Sequence, residues 1–364
     1  MAWTLGKNEI PPGTTGEYNR PSAPGAADVR DGSTVGEPVF SPRRAVASCE
    51  RCGQTMLFEG PEKKLEILTT ASFPPLRSLE NDFWRRVVEL AGAKIISAVS
   101  GNACDAYLLS ESSLFVWDRR MLMITCGKTT LIESAMEMLD RIPGNEIVSL
   151  IYERKNENFP ELQQTTFDQD TERIRSKAPG TRVILGDPRA DHIALFHLDH
   201  VFEPDPTDAT LEVLMYDMEP KTSRLFSRTS KAPELRKQIG FDDMVPGFVI
   251  DDHLFDPMGY SFNAVKHEHY STLHVTPQKE GSYTSFETNY RLERSDAKAT
   301  VLRLLDFFRP ARSDVLLFQG SLDLRSLNNG FRVTSVQSVK LGCGYACEYA
   351  HIEKELVQRS KPSK

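Results

Sequence analysis

Several segments of this chain alternate apolar and polar residues with a period of two, and this pattern constrains the fold more than any other feature. Successive side chains of a β-strand point to opposite faces of a sheet, so the pattern predicts strands that are covered on one face. Antiparallel sheets are commonly built in this way. The candidate strands are residues 94–99, 183–185, 192–198, 210–215, 271–275, 282–287, 315–318 and 331–339.

Three other segments carry apolar residues at helical spacing, namely 81–90, 128–142 and 296–308. Pro143-Gly144 ends the second of them, and Ser295 or Asp296 can cap the third. All three stripes are most simply helix faces that pack on a core. The patterns alone therefore predict an α+β protein, and the sequence shows no convincing internal repeat.

The overall composition narrows the class of protein. A chain of 364 residues with 40% hydrophobic content can bury a large core, and a net charge of −7 argues against a nucleic-acid partner. No apolar run reaches the roughly 18 residues of a membrane span, and the start of the chain lacks the pattern of a secretory signal. Six cysteines in a chain of this length indicate a reducing compartment. We predict a soluble cytoplasmic protein with no membrane partner.

The two ends of the chain differ from its middle. Residues 1–56 are rich in Pro, Gly, Ser and Thr, which predicts a disordered extension, and 353–364 are expected to form a flexible tail. A Cys-x2-Cys pair lies in the extension, and two more cysteines lie near residue 345, so four zinc ligands are available in principle. The four are Cys49, Cys52, Cys343 and Cys347. Free thiols are the simpler interpretation, the histidines form no complete ligand set, and we predict no metal site.

Four small polar residues, Ser-Glu-Ser-Ser at 110–113, interrupt an apolar run from Ala106 to Val116. A second strand-like run at 121–125 follows, so we interpret the region as a hairpin with a polar interruption in one arm. A strained serine can attack the preceding carbonyl, and β-elimination of the resulting ester would cut the chain between Glu111 and Ser112. That reaction leaves a ketone on residue 112. The simpler alternative is a polar bulge on an edge strand.

Together with five further motifs, this segment resembles the eukaryotic-type S-adenosylmethionine decarboxylases. The six motifs are FEGPEK at 58–63, LSESSLFV at 109–116, TCG at 125–127, PMGYS at 257–261, HVTP at 274–277 and SYTSFETN at 282–289. The resemblance covers residues 57–352. It implies a four-layer αββα sandwich of two antiparallel sheets, in one domain that is built from two similar halves.

The resemblance implies a self-processing decarboxylase that converts S-adenosylmethionine to CO2 and decarboxylated S-adenosylmethionine, the aminopropyl donor of spermidine and spermine synthesis. Side chains cannot accept the electrons that CO2 loss leaves on the α-carbon, whereas a ketone can once it condenses with the substrate amine. The implied cofactor is a pyruvoyl group made from Ser112. Cleavage would give chains 1–111 and 112–364, which stay associated, and a homodimer is left open.

Roles for individual residues also follow from the resemblance. It makes Cys126 the proton donor to the α-carbon and gives Ser261 and His274 to processing. It places Glu59 near the reacting centre and Glu62 among the residues that activity requires.

Substrate contacts are implied in the same way. Phe58 and Phe255 would lie on either side of the adenine, and the Glu111 backbone would border the nucleoside. Gln278 stands where the family usually has an acid that holds the ribose hydroxyls. An amide can bond one hydroxyl but cannot accept from both, so we expect an altered substrate affinity.

A second, acidic pocket is implied for putrescine, which activates animal-type members. Its matching residues are Glu66, Asp208, Thr210, Glu212 and Glu287. Lys64 stands where putrescine-independent members carry a basic residue, and its ammonium could replace the diamine. We therefore expect partial or absent stimulation by putrescine.

Two other functions are alternatives to decarboxylation. An inactive paralogue that regulates an active decarboxylase should lose processing or donor residues, and only Gln278 favours that alternative. This chain keeps the cleavage serine, the donor cysteine and both processing residues, namely Ser112, Cys126, Ser261 and His274. A serine hydrolase would need a Gly-x-Ser-x-Gly elbow around its nucleophile, which Ser112 does not have.

Overall fold

A computed structural model of the chain describes residues 57–226, 231–292, 294–324, 327 and 329–355, with the side chains of 294 and 295 left out. These residues form sixteen strands and seven α-helices. The strands of the first half are β1 (Lys63–Thr69), β2 (Ile95–Ser100), β3 (Cys104–Leu109), β4 (Ser112–Trp117), β5 (Arg120–Thr125), β6 (Ile147–Lys155), β7 (Gly180–Gly186) and β8 (His192–Leu198). Those of the second half are β9 (Thr210–Tyr216), β10 (Val249–Leu254), β11 (Tyr260–Lys266), β12 (His269–Thr276), β13 (Tyr283–Thr288), β14 (Arg312–Phe318), β15 (Phe331–Lys340) and β16 (Ala346–Lys354). The helices are α1 (Asn81–Leu90), α2 (Leu131–Arg141), α3 (Phe167–Arg175), α4 (Pro220–Ser223), α5 (Ala232–Ile239), α6 (Phe241–Met244) and α7 (Arg294–Phe308).

The strands form two eight-stranded sheets whose topologies are identical. The first sheet has the order β2-β3-β4-β5-β1-β6-β8-β7, and the second has the order β10-β11-β12-β13-β9-β14-β16-β15. Adding eight to each label of the first order gives the second, and the paired strands are antiparallel. The two similar halves that the resemblance implies are thus present in the topology, although no repeat is visible in the sequence.

Strand β4 shows how the period-two pattern separates the layers. Leu114 and Val116 belong to the apolar cluster under the helices of the first half, whereas Phe115 and Trp117 belong to a cluster shared with the other sheet. Ser113 has the same parity as Phe115 and contacts residues of β11 and β12. One face of β4 therefore packs on helices and the other on the second sheet.

Helices cover the outer face of each sheet. Trp84 of α1 and Leu131 of α2 pack with residues of the first sheet, and Phe241 of α6 and Val301 of α7 pack with residues of the second. The order of layers is helix, sheet, sheet, helix. The predicted four-layer αββα sandwich is confirmed.

The space between the sheets is apolar on two sides and polar in the middle. One apolar cluster joins β3, β4 and β5 to β11 and β12, and another joins β6, β7 and β8 to β9, β13, β14 and β16. Buried charged side chains come from β1, β6, β9 and β13, and buried hydroxyl, amide and imidazole groups come from β4, β11 and β12. We call this set the polar layer.

The helix predictions agree with α1, α2 and α7, with α2 beginning three residues later than expected. The interpretation of 106–116 as one interrupted arm was wrong. The segment forms two strands, β3 and β4, joined by a two-residue turn at Ser110-Glu111, because Leu109 pairs with Ser112. Ser110 and Glu111 are the turn, Ser112 and Ser113 are the first residues of β4, and β5 adds a third strand.

The expected extension at 1–56 lies outside the described residues, as do residues 356–364 of the expected tail. Strand β16 continues to Lys354, so the start of that tail belongs to the second sheet. Among the helices that the structure describes, none combines the length and the apolar character needed to cross a membrane.

Candidate active site

Ser112 occupies a strained position at the start of β4. Its φ of 124° lies in a region that residues with a side chain rarely adopt, and its side chain is buried. The hydroxyl oxygen has no hydrogen-bond partner among the residues that the structure describes. The strain persists because Ser112 pairs with Leu109 on one side and with Thr125 on the other.

The carbonyl group that precedes Ser112 is held by Cys126. The Cys126 N–H donates to the Glu111 carbonyl oxygen at 2.9 Å, and the thiol donates to the same oxygen at 3.5 Å. Both bonds would stabilise negative charge on this oxygen. Burial, and then the nearby Glu111 carboxylate, raise the pKa of the Cys126 thiol well above its ordinary value. The thiol therefore keeps its proton at neutral pH.

His274 lies next to this turn across the polar layer. Its Nδ1 is 3.0 Å from the Ser261 hydroxyl, and its Nε2 is 2.9 Å from the Thr272 hydroxyl and 3.3 Å from that of Ser113. Ser113 directly follows Ser112, so the predicted processing pair is brought to the proposed cleavage point. Burial lowers the pKa of His274 to about 3, and the imidazole is neutral.

Asn263 fixes the tautomer of this imidazole, and sequence reasoning missed it. Its Nδ2 donates to the Tyr107 carbonyl, so its Oδ1 is the atom that accepts from Ser113 at 2.6 Å and from Thr272 at 2.9 Å. Because both hydroxyl protons are used in this way, His274 Nε2 must carry the proton. Nδ1 is then the basic nitrogen and accepts from Ser261.

The two predicted carboxyl groups differ in their surroundings. Glu59 accepts from the backbone N–H groups of Asn158 at 2.9 Å and Phe159 at 2.7 Å, yet burial raises its pKa to about 7. Glu62 accepts from the Ser285 hydroxyl at 2.7 Å, and burial raises its pKa to about 8. Both groups can therefore exchange a proton near neutral pH.

The Glu111 side chain is a third such group. Burial raises its pKa to about 7, and within the described part of the chain one of its carboxyl oxygens is buried without a hydrogen-bond partner. That oxygen lies 2.8 Å from the point where a Cβ on Gly127 would stand, and the Phe58 ring lies 3.1 Å from the same point. With its φ of 68°, Gly127 is a position where only glycine fits.

The predicted adenine-binding rings are both half-buried. Phe58 packs beside Gly127, and Phe255 contacts the His253 ring at a centroid distance of 4.8 Å. The Gln278 side chain, which the resemblance gives to the ribose, bonds the Phe58 main chain in both directions.

Lys63, which sequence reasoning gave no role, borders the same site. Its Nζ donates to the Gln163 amide at 2.6 Å and to the Gly127 carbonyl at 3.4 Å. Burial, and then the charge of Arg154, lower its pKa to about 8.

The predicted acidic pocket contains two lysines. Lys64 bonds Glu212 at 2.6 Å and lies 3.1 Å from Glu287, while Lys155 pairs with Glu212 and Glu153. All five side chains are buried. Although burial opposes it, the two ammonium groups lower the pKa of Glu212 to about 2, whereas burial raises that of Glu287 to about 7.

The remaining pocket residues are also partnered. Arg120 pairs with Asp208 and lies 3.5 Å from Glu66, and the Tyr345 hydroxyl donates to Asp208 at 2.7 Å. Thr210 lines the space left beside them, a cavity of about 10 Å³. This space is the size of one water molecule.

Within the residues that the structure describes, no group of three or more histidine, cysteine or acidic side chains is placed to hold a metal ion. Cys343 and Cys347 are buried free thiols, and the other two candidate zinc ligands lie outside the described residues.

Comparison with known proteins identifies the family. The family model described as adenosylmethionine decarboxylase matches residues 55–359, and the chain belongs to that family. It is 34% identical over 285 residues to the S-adenosylmethionine decarboxylase proenzyme of Dictyostelium discoideum, a match that covers 72% of this chain and 74% of that protein. The proenzyme of Drosophila melanogaster is 33% identical over 294 residues, covering 73% and 84%. A crystal structure of the Trypanosoma brucei AdoMetDC-delta26 monomer shares the fold, with a TM-score of 0.52 and 22% identity over 67% of this chain and 99% of that chain. The resemblance inferred from the motifs is confirmed.

The raised pKa of Glu62 predicts a pH-dependent effect of Glu62→Gln on stability. Because the folded-state pKa of about 8 exceeds the unfolded value of 4.5, Glu62 binds a proton more tightly when folded, and this contribution to stability is lost as pH rises from 4.5 to 8. Removing the carboxyl group should stabilise the protein at pH 9 by up to a few kcal/mol, at about 1.4 kcal/mol per pKa unit. At pH 4.5 the difference should vanish.

Urea unfolding at both pH values, in a Ser112→Ala background that keeps one chain, measures this effect. Glu348→Gln, in β16, is the control, and a Glu62→Gln variant no more stable than its parent at pH 9 contradicts the prediction.

Proposed function

We propose that this protein cuts its own backbone between Glu111 and Ser112 and then decarboxylates S-adenosylmethionine with the pyruvoyl group that the cut creates. The observation that carries the proposal is the Ser112 hydroxyl, which is buried, unpartnered and attached to a strained backbone. It follows a carbonyl group that already accepts two bonds from Cys126.

The cut begins with attack of the Ser112 Oγ on the Glu111 carbonyl carbon. The C–N bond of the amide breaks, the nitrogen takes the hydroxyl proton, and an ester joins the two residues. A base then removes the α-proton of residue 112, the bond between Cβ and Oγ breaks, and Glu111 leaves as a carboxylate. Water replaces the nitrogen of the dehydrated residue, ammonia leaves, and a ketone remains.

The polar layer supplies the groups for these steps. The Cys126 N–H and thiol stabilise the oxyanion of the attacked carbonyl. His274 is neutral, and the Asn263 network keeps Nδ1 as its basic nitrogen. We assign the removal of the α-proton to His274, and the proton ends on Nδ1, which takes it either directly or through the Ser261 hydroxyl.

A pyruvoyl ketone supplies the electron sink that decarboxylation of an α-amino acid requires. Around it, Cys126 keeps a proton that it can give to the α-carbon, because burial holds the thiol neutral. Glu59 and Glu62 have pKa values near 7 and 8 and can hold or release protons at working pH. Phe58 and Phe255 present apolar ring faces for the adenine and the sulfonium.

We propose that the two chains remain associated after the cut. Strands β1–β3 would belong to the small chain and β4–β16 to the large chain. Strand β1 of the small chain is hydrogen-bonded to β5 on one side and to β6 on the other, and β3 is hydrogen-bonded to β4, so large-chain strands would hold the small chain in the first sheet. The four cysteines of the described residues are free thiols, which supports a cytoplasmic location.

We further propose that putrescine is not needed for activity. The diamine would bring two positive charges to the acidic pocket, and Lys64 and Lys155 already supply two. The cavity of about 10 Å³ beside them has no room for a four-carbon diamine.

Ser112→Ala should remain a single chain and release no CO2, because the attacking oxygen is absent. Intact mass and release of labelled CO2 from carboxyl-labelled substrate measure the two outcomes. The matched control is Ser110→Ala. The Ser110 hydroxyl accepts an exposed bond from the N–H of Lys94, the residue before β2, and its loss should leave cleavage intact. Release of CO2 by uncut Ser112→Ala protein would show that the ketone mechanism is wrong.

Asn263→Ala should slow self-cleavage by roughly 10-fold or more, since the freed hydroxyls of Ser113 and Thr272 can then donate to His274 Nε2 and move its proton to Nδ1. Asn263→Asp keeps the acceptor oxygen and should cleave faster than Asn263→Ala. The appearance of the two chains on a denaturing gel gives the rates. If a folded Asn263→Ala protein cleaves itself at the wild-type rate, Asn263 does not control cleavage through the tautomer of His274.

Wild-type activity should not change when putrescine is added, whereas Lys64→Ala should lose activity and regain part of it with putrescine. The substitution leaves Glu212 and Glu287 with one ammonium fewer and opens space for the diamine. Lys340→Ala, at the exposed end of β15, is the control. A severalfold stimulation of the wild-type protein by putrescine would contradict the proposal that the two lysines take the place of the diamine.

A further inference from the structure

Gln278 lies in the loop between β12 and β13 and makes three bonds with its side-chain amide. Its Oε1 accepts from the Phe58 N–H at 3.0 Å. Its Nε2 donates to the Phe58 carbonyl at 2.7 Å and to the Gly281 carbonyl at 3.2 Å. The Phe58 N–H can only donate and the Phe58 carbonyl can only accept. The amide oxygen of Gln278 must therefore face the N–H, and its amide nitrogen must face the carbonyl.

These bonds use both N–H groups of the amide and leave only one lone pair on Oε1. The side chain therefore has no hydrogen left for a ribose oxygen. A carboxylate at this position could still accept from the Phe58 N–H, but it could not donate to the Phe58 carbonyl. The two-way contact requires an amide.

The rest of the Phe58 segment is held by other groups. Glu59 bonds two backbone N–H groups, and its carbonyl accepts from the Gly127 N–H at 2.7 Å. Gly60 lies so close to β13 that an added Cβ would stand 2.6 Å from the Cβ of Tyr283. Among the described residues, the Phe58 N–H and carbonyl have hydrogen bonds to Gln278 alone.

We propose that Gln278 is a positioning residue that clamps Phe58, and that it sets nucleoside affinity through the position of the Phe58 ring and not through a bond to the ribose. The inference rests on the proposed function, which gives that ring to the adenine. The proposed cut gives the clamp a second role. After the cut Phe58 would lie in the small chain and Gln278 in the large chain, so the bonds of the Gln278 amide would join the two chains beside the substrate.

The variant Gln278→Glu separates this role from ribose binding, because the two roles predict opposite changes in KM. If residue 278 held the ribose, a carboxylate that accepts from both hydroxyls would lower KM. If it clamps Phe58, the carboxylate repels the Phe58 carbonyl, and KM should rise about 10-fold at pH 8, the factor for one lost hydrogen bond. The effect on kcat should be smaller.

The pH profile gives a readout that a purely structural defect would not move. Once protonated, the carboxyl group introduced by Gln278→Glu can donate to the Phe58 carbonyl, so the KM penalty of this variant should shrink as the pH falls from 8 to 5.5. The matched control is Gln337→Glu. Gln337, in β15, makes the same two-way contact with the main chain of Gly186, in β7. Its Oε1 accepts from the Gly186 N–H at 3.1 Å, and its Nε2 donates to the Gly186 carbonyl at 3.4 Å.

The experiment uses fully cleaved protein, checked by intact mass, and measures KM, kcat and the Kd of methylthioadenosine by calorimetry. A rise in KM and Kd for Gln278→Glu alone, reversed at low pH, supports the clamp. An unchanged or lower KM overturns the clamp and leaves the proposed function standing. Wild-type protein that neither binds the nucleoside nor releases CO2 overturns both.

Discussion

The polar layer between the two sheets is the interaction on which the rest of the molecule depends. Two sheets of this size could pack through apolar side chains alone, as they do on either side of this layer. Burying Glu212 costs several kcal/mol unless it is paired, and its partners Lys64 and Lys155 come from the opposite sheet. A shift of one sheet over the other would separate these charges. The charges therefore favour the placement of the sheets in which β4 faces β12.

That register also creates the chemistry. Ser113 can reach Asn263 and His274 only when β4 lies over β11 and β12. A neighbouring residue, Ser112, is then held at an unfavourable φ by ladders on both sides. A loop would relax such a conformation, whereas an interior strand cannot do so without breaking its pairs. This is a physical reason for finding the strained serine at the start of a buried strand.

Much of the fold was accessible from the sequence because it depends on local periodicity. The stripe at 81–90 predicted α1, and the alternation at 331–339 predicted most of β15. The turn at Ser110-Glu111 was misread because it contains no glycine, proline or asparagine. Helix α3 was missed although Thr166 and Gln169 form a capping box, since its apolar stripe is short.

The site was predicted where a motif carried it and missed where a contact joins distant residues. Asn263 and Ser113 are 150 residues apart, and no local pattern links them. Lys155 likewise enters the acidic pocket from β6, a strand in which nearly every residue is buried. For Gln278 the motif could not show that the side-chain amide bonds the main chain of Phe58.

The contacts that cross the proposed cut explain how one chain can sever itself without losing its site. Glu62 and Lys64 precede residue 112, and their partners Ser285 and Glu212 follow it. These bonds exist in the uncut chain, so the cut does not have to assemble them. The proposed cut would change only residue 112 and its peptide bond, while the ladders and the polar layer would continue to hold both sides. The geometry that strains Ser112 would therefore also hold the two chains together.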